Sequence, residues 1–261
     1  SGPATIAAKI MNIPLFLHEP NSFPGITLIY ASRWAKKVFY AFPESEKYFK
    51  SSKNALLVGN PMEISKNNFD RDILLSDMNM DINNKTVFVT GGSQGSSAIN
   101  SVVNDLLHEK RNFNLIWQRG SANYENIVGK LDKSLKKNTV IKPFIDDMNS
   151  IYEVSDLIIS RAGAMTLTEI AAFKKPSILI PLPTAAEDHQ TKNAESFVKK
   201  GSAVMIKQSE LTSSILLNNI NAILNNENQY AYMSKAAGSF YREDALDNIT
   251  NTILESIGDY K

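Results

Sequence analysis

The sequence predicts an α/β protein built on parallel sheets. From Thr86 onward, short apolar runs alternate with amphipathic helical patterns, and two of the strand-to-helix joints are glycine turns. A chain of 261 residues, 43% hydrophobic and 21% charged, is long enough to cover both faces of such a sheet.

In chain order, "GPATIAAKI" reads as an opening helix, and "IPLFL", "KVFYAF" and "ALLVGNP" as strands with a helical pattern between the first two. These are too few for a complete domain of this class, so residues 1–62 are expected to be the tail of another sheet. The polar stretch over 63–85, "EISKNNFDRDILLSDMNMDINNK", reads as a linker with a short helix. The strands "TVFVT", "NLIWQ", "TVIKPF", "DLIIS", "SILIP" and "AVMI" then define a second domain over 86–240, with helices such as "SAINSVVNDLLHE" between them. Leu246, Ile249, Ile253 and Ile257 recur at helical spacing and put a terminal helix in 241–261.

Composition removes several function classes. Without cysteine there is no disulfide, thiolate zinc site or cysteine nucleophile, and His18, His108 and His189 lack ligand spacing, so no metal or cofactor is expected. "HEPNS" has no second histidine to complete a zinc-protease helix. A net charge of +1 with scattered basic residues argues against a nucleic-acid partner. No apolar run reaches the roughly 18 residues of a membrane span, and no secretory signal opens the chain, so a cytoplasmic location is expected.

The first turn, "TVFVTGGSQGSSAINSVV", places Gly91, Gly92 and Gly95 between a strand and a helix. Glycines there let backbone N–H groups approach an anion, and the helix dipole adds positive potential, although the same residues also suit an ordinary tight turn. The turn lacks GK[ST], so it is no P-loop, and the next strand ends "IWQRG" without the acid of a dinucleotide site. The second turn, "SRAGAMTLTE", repeats the pattern at the same sheet edge. Thr166 and Glu169 admit two readings: a Thr-x-x-Glu capping box, or a first-turn carboxylate that accepts from a ribose diol while N–H groups of Ala164 to Thr166 face phosphates. In "EDHQTKNAESF", Gln190 and Asn193 share a helix face and suit either sugar hydroxyls or solvent.

Together with "SGP", "HEPNSFPG" and "VGNP", the motifs GGSQG, SRAGAMTLTEIAA and EDHQTKNA resemble the undecaprenyldiphospho-muramoylpentapeptide β-N-acetylglucosaminyltransferases of glycosyltransferase family 28. The resemblance implies a GT-B architecture, with a complete C-terminal Rossmann-like domain and a partial N-terminal one. It also implies inverting transfer of N-acetylglucosamine from UDP-GlcNAc to lipid I, at the cytoplasmic membrane surface and without metal. By the same resemblance, Ser93 and Gln94 lie by the diphosphate and donor sugar, the backbone of Ile145 meets the uracil, and the segment Ala164, Met165, Thr166, Leu167 and Thr168 forms the donor cradle. Glu169 would hold the ribose, and Asn21, Gln190 and Asn193 the donor sugar. His18 and Glu19 are candidates for the unassigned general base.

Two departures stand out. Glu63 occupies the place where the family carries an arginine after "GNP", and the family's opening glycine-rich loop is absent, so the chain is expected to be N-terminally truncated and to bind donor while transferring poorly alone. The rival expectations are a nucleotide-sugar-binding module that needs a partner chain, or another UDP-sugar enzyme of this architecture, such as a lipid galactosyltransferase or an epimerase.

Overall fold

The computed structural model describes residues 2–49, 54–64, 70–122, 124, 125, 129, 132, 135 and 137–258. A small parallel sheet comes first, β1 (Phe16–Glu19), β2 (Lys37–Tyr40) and β3 (Ala55–Leu57), with helices α1 (Gly2–Ile10) and α2 (Ile26–Ala31). The stretch that reads as a linker holds α3 (Arg71–Asp77), started by Asp70, whose carboxylate accepts from the N–H groups of Asp72 and Ile73.

The larger unit is a six-stranded parallel sheet of β4 (Thr86–Thr90), β5 (Asn114–Gln118), β6 (Thr139–Lys142), β7 (Leu157–Ser160), β8 (Ser177–Leu179) and β9 (Ala203–Met205), in spatial order 6-5-4-7-8-9. The helices are α4 (Ser97–Leu106), α5 (Met148–Val154), α6 (Ala164–Ala172), α7 (His189–Lys199), α8 (Ser213–Leu224), α9 (Glu227–Gly238) and α10 (Ala245–Gly258).

Side chains alternate across the strands, so the sheet has two cores. Phe88, Ile116, Ile158 and Leu179 pack on one face with Tyr152, Leu167, Ile170 and Phe197. Val87, Val89, Leu115, Trp117, Ile159 and Ile178 pack on the other with Ile99, Val103, Leu216 and Ile220. Emptying one of these positions, as in Leu167→Ala, costs about 2–5 kcal/mol.

The two units share a seam. Phe42, just past β2, meets Phe197 and Phe240, whose rings stack at 4.2 Å. The terminal helix returns to the small sheet, where Lys36 Nζ donates to Ser256 O at 2.6 Å.

The strand order reverses direction between β4 and β7, which pair so that Thr90 lies beside Ser160. Loops leaving adjacent carboxyl ends at such a switch point diverge to opposite faces and open a crevice, the place where ligands enter open parallel sheets. Both glycine turns lie there.

Candidate active site

The loop after β4 is built for close backbone approach. Gly92 and Gly95 have φ of +90° and +77°, and a Cβ on Gly95 would sit 2.2 Å from Arg119 O. The loop closes through Gly95 N–H to Gly92 O at 3.0 Å and Gly92 N–H to Thr90 Oγ1 at 3.1 Å. Ser93 and Gln94 are exposed at its tip. Ser96 caps α4 by accepting from Ile99 N–H at 3.4 Å.

Helix α6 starts earlier than the motif suggests, with Gly163 as its N-cap and the first helical bond from Leu167 N–H to Gly163 O at 3.0 Å. Both readings of Thr166 and Glu169 therefore need correction. Thr166 is the third helical residue rather than the cap, so there is no capping box, and Glu169 lies in the second turn. The N–H groups of Ala164, Met165 and Thr166, just past the carboxyl end of β7, have no acceptor within the helix. Leu167 is buried in the core with its N–H already bonded. The Thr168 hydroxyl donates to Ala164 O at 2.9 Å and accepts from Asn60 Nδ2 at 2.9 Å.

Glu169 is half-buried, and its Oε2 accepts from the Tyr152 hydroxyl at 2.8 Å. Its Oε1 has no partner among the described residues. Burial lifts the carboxyl above the usual glutamate range, and the Tyr152 hydrogen bond pulls it part of the way back.

Arg161, which sequence patterning alone does not mark as functional, ties the two turns together. It donates to Ile180 O, Pro181 O, Ser96 Oγ and Gln208 Oε1 at 3.1, 3.0, 2.6 and 2.7 Å. Burial lowers its pKa, but a guanidinium stays charged at neutral pH, so a fixed cation stands beside both helix starts. Gln118, at the end of β5, is a second hub. Its Oε1 accepts from Ile145 N–H at 3.0 Å and its Nε2 reaches Thr90 Oγ1 and Gly92 O at 3.3 and 3.4 Å. Of Ile145's backbone, the carbonyl remains to meet a base.

The amides of α7 are less free than their helical spacing implies. Gln190 Oε1 braces the rim by accepting from Ala162 N–H at 3.2 Å and Leu182 N–H at 3.0 Å, leaving its NH₂ as the available donor. Asn193 is fully buried; it accepts from Ser22 N–H at 2.8 Å and donates to Asn21 Oδ1 at 3.0 Å and Ala162 O at 3.2 Å. Just before α7, Glu187 and Asp188 hold left-handed backbone with φ of 53° and 56°, which kinks the chain at the helix start.

Across the crevice, the loop after β1 is organised by Glu19, which is 4% exposed. Its Oε1 accepts from the N–H and Nδ2 of Asn21 at 2.9 and 3.1 Å, and its Oε2 from Gly25 N–H at 3.3 Å. His18 Nε2 lies 3.1 Å from Gly59 O. Both side chains are thus engaged in holding loops. Glu63 is exposed.

The arrangement is a crevice with two electropositive helix starts, a half-committed carboxylate and a bridging pair of amides. Its large unit matches the model of the glycosyltransferase family 28 C-terminal domain over residues 86–249. The UDP-N-acetylglucosamine–N-acetylmuramyl-(pentapeptide) pyrophosphoryl-undecaprenol N-acetylglucosamine transferase of Ruminiclostridium cellulolyticum is 34% identical over 260 residues, covering 98% of this chain and 71% of its own length. The chain belongs to glycosyltransferase family 28.

The transferase of the same name from Carboxydothermus hydrogenoformans is 37% identical over 262 residues, with 98% of this chain and 70% of that protein covered. Among solved structures, Acinetobacter baumannii MurG superposes with a TM-score of 0.76 at 30% identity, over 97% of this chain and 71% of that one. A Staphylococcus aureus MnaA–UDP complex has a TM-score of 0.68 at 16% identity over 98% and 71% of the chains, a likeness of fold alone. As a family 28 member the chain has the GT-B fold, two parallel α/β units facing across a crevice. Among the described residues, no helix is long and apolar enough to cross a membrane.

Proposed function

We propose that the crevice binds UDP-GlcNAc and that the chain serves inverting transfer of N-acetylglucosamine to lipid I, the muramoyl-pentapeptide undecaprenyl diphosphate that yields lipid II. One observation carries the reading most strongly: the starts of α4 and α6 open side by side at the β4–β7 switch, with a carboxylate one and a half turns into α6.

In this reading the diphosphate lies between the Ser93–Gln94 loop tip and the N–H groups of Ala164, Met165 and Thr166. Glu169 Oε1 accepts from the ribose hydroxyls, and the Ile145 carbonyl meets the uracil. When the 4-hydroxyl of the acceptor sugar attacks the anomeric carbon and gives up its proton to a general base, the bond to the diphosphate breaks on the opposite face and negative charge grows on UDP. Two helix dipoles and the half-buried Arg161 cation stabilise that charge without reorganising. The donor sugar reaches Gln190 Nε2 and competes with the Asn21–Asn193 contact for amide groups, so donor entry and the closure of the seam are coupled. Glu19 and His18 act as scaffold for the acceptor-side loop rather than as base. Docked peripherally on the inner surface of the cell membrane, the chain would meet the lipid acceptor.

Isothermal titration with UDP and UDP-GlcNAc, paired with a radiolabelled transfer assay on a lipid I analogue, tests the reading. Saturable donor binding that Glu169→Ala abolishes supports it; binding indifferent to that substitution contradicts the placement of the nucleotide.

A further inference from the structure

Tyr152 is the neighbour that fixes how Glu169 points. It is 1% exposed and its ring is clamped, stacked on Phe173 at 5.4 Å and 12° and set edge-on to Phe88 at 5.8 Å and 88°. Helix α5, which carries it, is pinned at its start by Asp147 accepting from Ser150 N–H. A ring held this way can aim its hydroxyl in one direction only, and that direction is Glu169 Oε2 at 2.8 Å. The carboxylate is consequently asymmetric, with one oxygen committed and the other, Oε1, without a partner among the described residues. A buried phenol needs an acceptor, but a backbone carbonyl would satisfy it. Using a half-buried carboxylate instead keeps a poorly solvated charge in place, which is costly unless that charge has a task.

We propose that Tyr152 is a positioning residue for the nucleotide's sugar: by locking Glu169 Oε2 it presents Oε1 at a fixed angle to the ribose hydroxyls and sets the preference for ribose over 2′-deoxyribose. The proposal rests on the donor-site reading above. An unlocked carboxylate must lose its rotamer freedom on binding, and it can turn to find other partners when a hydroxyl is missing. A locked one cannot turn, so a 2′-deoxy nucleotide leaves the charged oxygen underused, and sites built around a hydroxyl reject analogues that lack it.

The test compares the affinities of UDP and 2′-deoxy-UDP, by titration, for the wild-type chain, Tyr152→Phe and Glu169→Gln, with circular dichroism and thermal melts to confirm folding. The wild type is expected to prefer UDP by about tenfold or more, the size of a hydrogen bond to a charged group. Tyr152→Phe keeps the stacked ring and is expected to reduce that preference to about threefold, mostly by weakening UDP, and Glu169→Gln to bring it near parity. Tyr152→Phe should also raise the pH at which UDP binding is lost on acidification, because the phenol is the group that pulls the Glu169 carboxyl down. A purely structural role for the ring would leave both readouts unmoved.

Tyr152→Phe retaining the full preference while Glu169→Gln loses it would overturn the proposal and leave the site reading standing. A wild type that does not distinguish the two nucleotides would overturn both. Should Tyr152→Phe not fold, 3-fluorotyrosine at position 152, a stronger donor on the same ring, is expected to sharpen the preference; an unchanged preference overturns the proposal.

Discussion

Asn193 Nδ2 donates to Asn21 Oδ1 at 3.0 Å, joining positions 172 residues apart, while Asn193 Oδ1 accepts from Ser22 N–H at 2.8 Å. This single buried amide holds the loop after β1 against the rim of the large sheet. Asn60, donating to Thr168 Oγ1 and Pro20 O, makes a second polar tie nearby.

The amide tie should be worth measurable stability. Asn193→Ala strands Ser22 N–H and Ala162 O in a buried seam and is expected to cost about 1–3 kcal/mol, read as a lower melting temperature. Asn193→Asp keeps the acceptor but loses both donors, and places an unpaired carboxylate in the seam, so its loss should be at least as large. A melting temperature unchanged in both variants would show that the seam is held by its other contacts, the Phe42, Phe197 and Phe240 cluster and the Asn60 and Lys36 hydrogen bonds.

Glu169→Gln should move stability and binding in opposite directions. The amide still accepts from Tyr152 but removes a poorly solvated charge, so the unliganded protein should be as stable as the wild type or more so at neutral pH. UDP affinity should fall about tenfold or more, because the oxygen that accepts from Tyr152 leaves the amide NH₂, a donor, where the ribose hydroxyls would meet a charged acceptor. Thermal melts with and without UDP read both effects in one experiment.

The same carboxyl gives a pH signature. Its folded pKa lies above its unfolded value, so its contribution to stability is fully present below the unfolded pKa and is lost as pH rises through the folded one. Donor binding has the opposite sense, since it needs the ionised form. UDP affinity should therefore weaken as pH falls through the raised Glu169 pKa, while this group's contribution to the stability of the free protein grows. Titrations of UDP across the acid range, repeated with Glu169→Gln, should show the dependence in the wild type and not in the variant.

Gly95→Ala is expected to break the first loop. Its added Cβ would meet Arg119 O at 2.2 Å, a backbone atom that cannot swing away, and the residue must hold φ of +77°. Strain of about 1–3 kcal/mol, and displacement of Ser93 and Gln94, should follow. The expected readout is a lower melting temperature together with weaker UDP binding. Gly92→Ala meets no neighbour within 4 Å and should be the milder of the two.

The strands of the large sheet and the terminal helix were legible because each is a bounded apolar run, and all six strands fall within the segments that predict them; β1 instead starts at Phe16 and runs on past "IPLFL" through His18 and Glu19. The start of α6 was not. Gly163 is a weak cap signal beside Thr166, and "TLTE" offers a better local box, yet Ala164 and Met165 are good helix formers and carry the helix start back to Ala164, with Gly163 as the cap. The pairing of Gln190 and Asn193 on one face was readable from spacing, but their partners lie 8 to 172 residues away and depend on how loops meet. Tyr152 was invisible as a site residue, since "SIYEV" is an ordinary apolar helix face until the fold brings it to Glu169. Gln118 and Arg161 carried a signal: each is a polar residue ending or following an apolar strand at the ligand edge of a parallel sheet.

A structure of this chain with UDP bound decides where the nucleotide sits. The diphosphate is expected between the starts of α4 and α6, within hydrogen-bond reach of the Ala164 to Thr166 backbone, and the ribose hydroxyls on Glu169 Oε1 with the Tyr152 contact intact. A nucleotide seated elsewhere, or one whose ribose leaves Glu169 untouched, would contradict that placement.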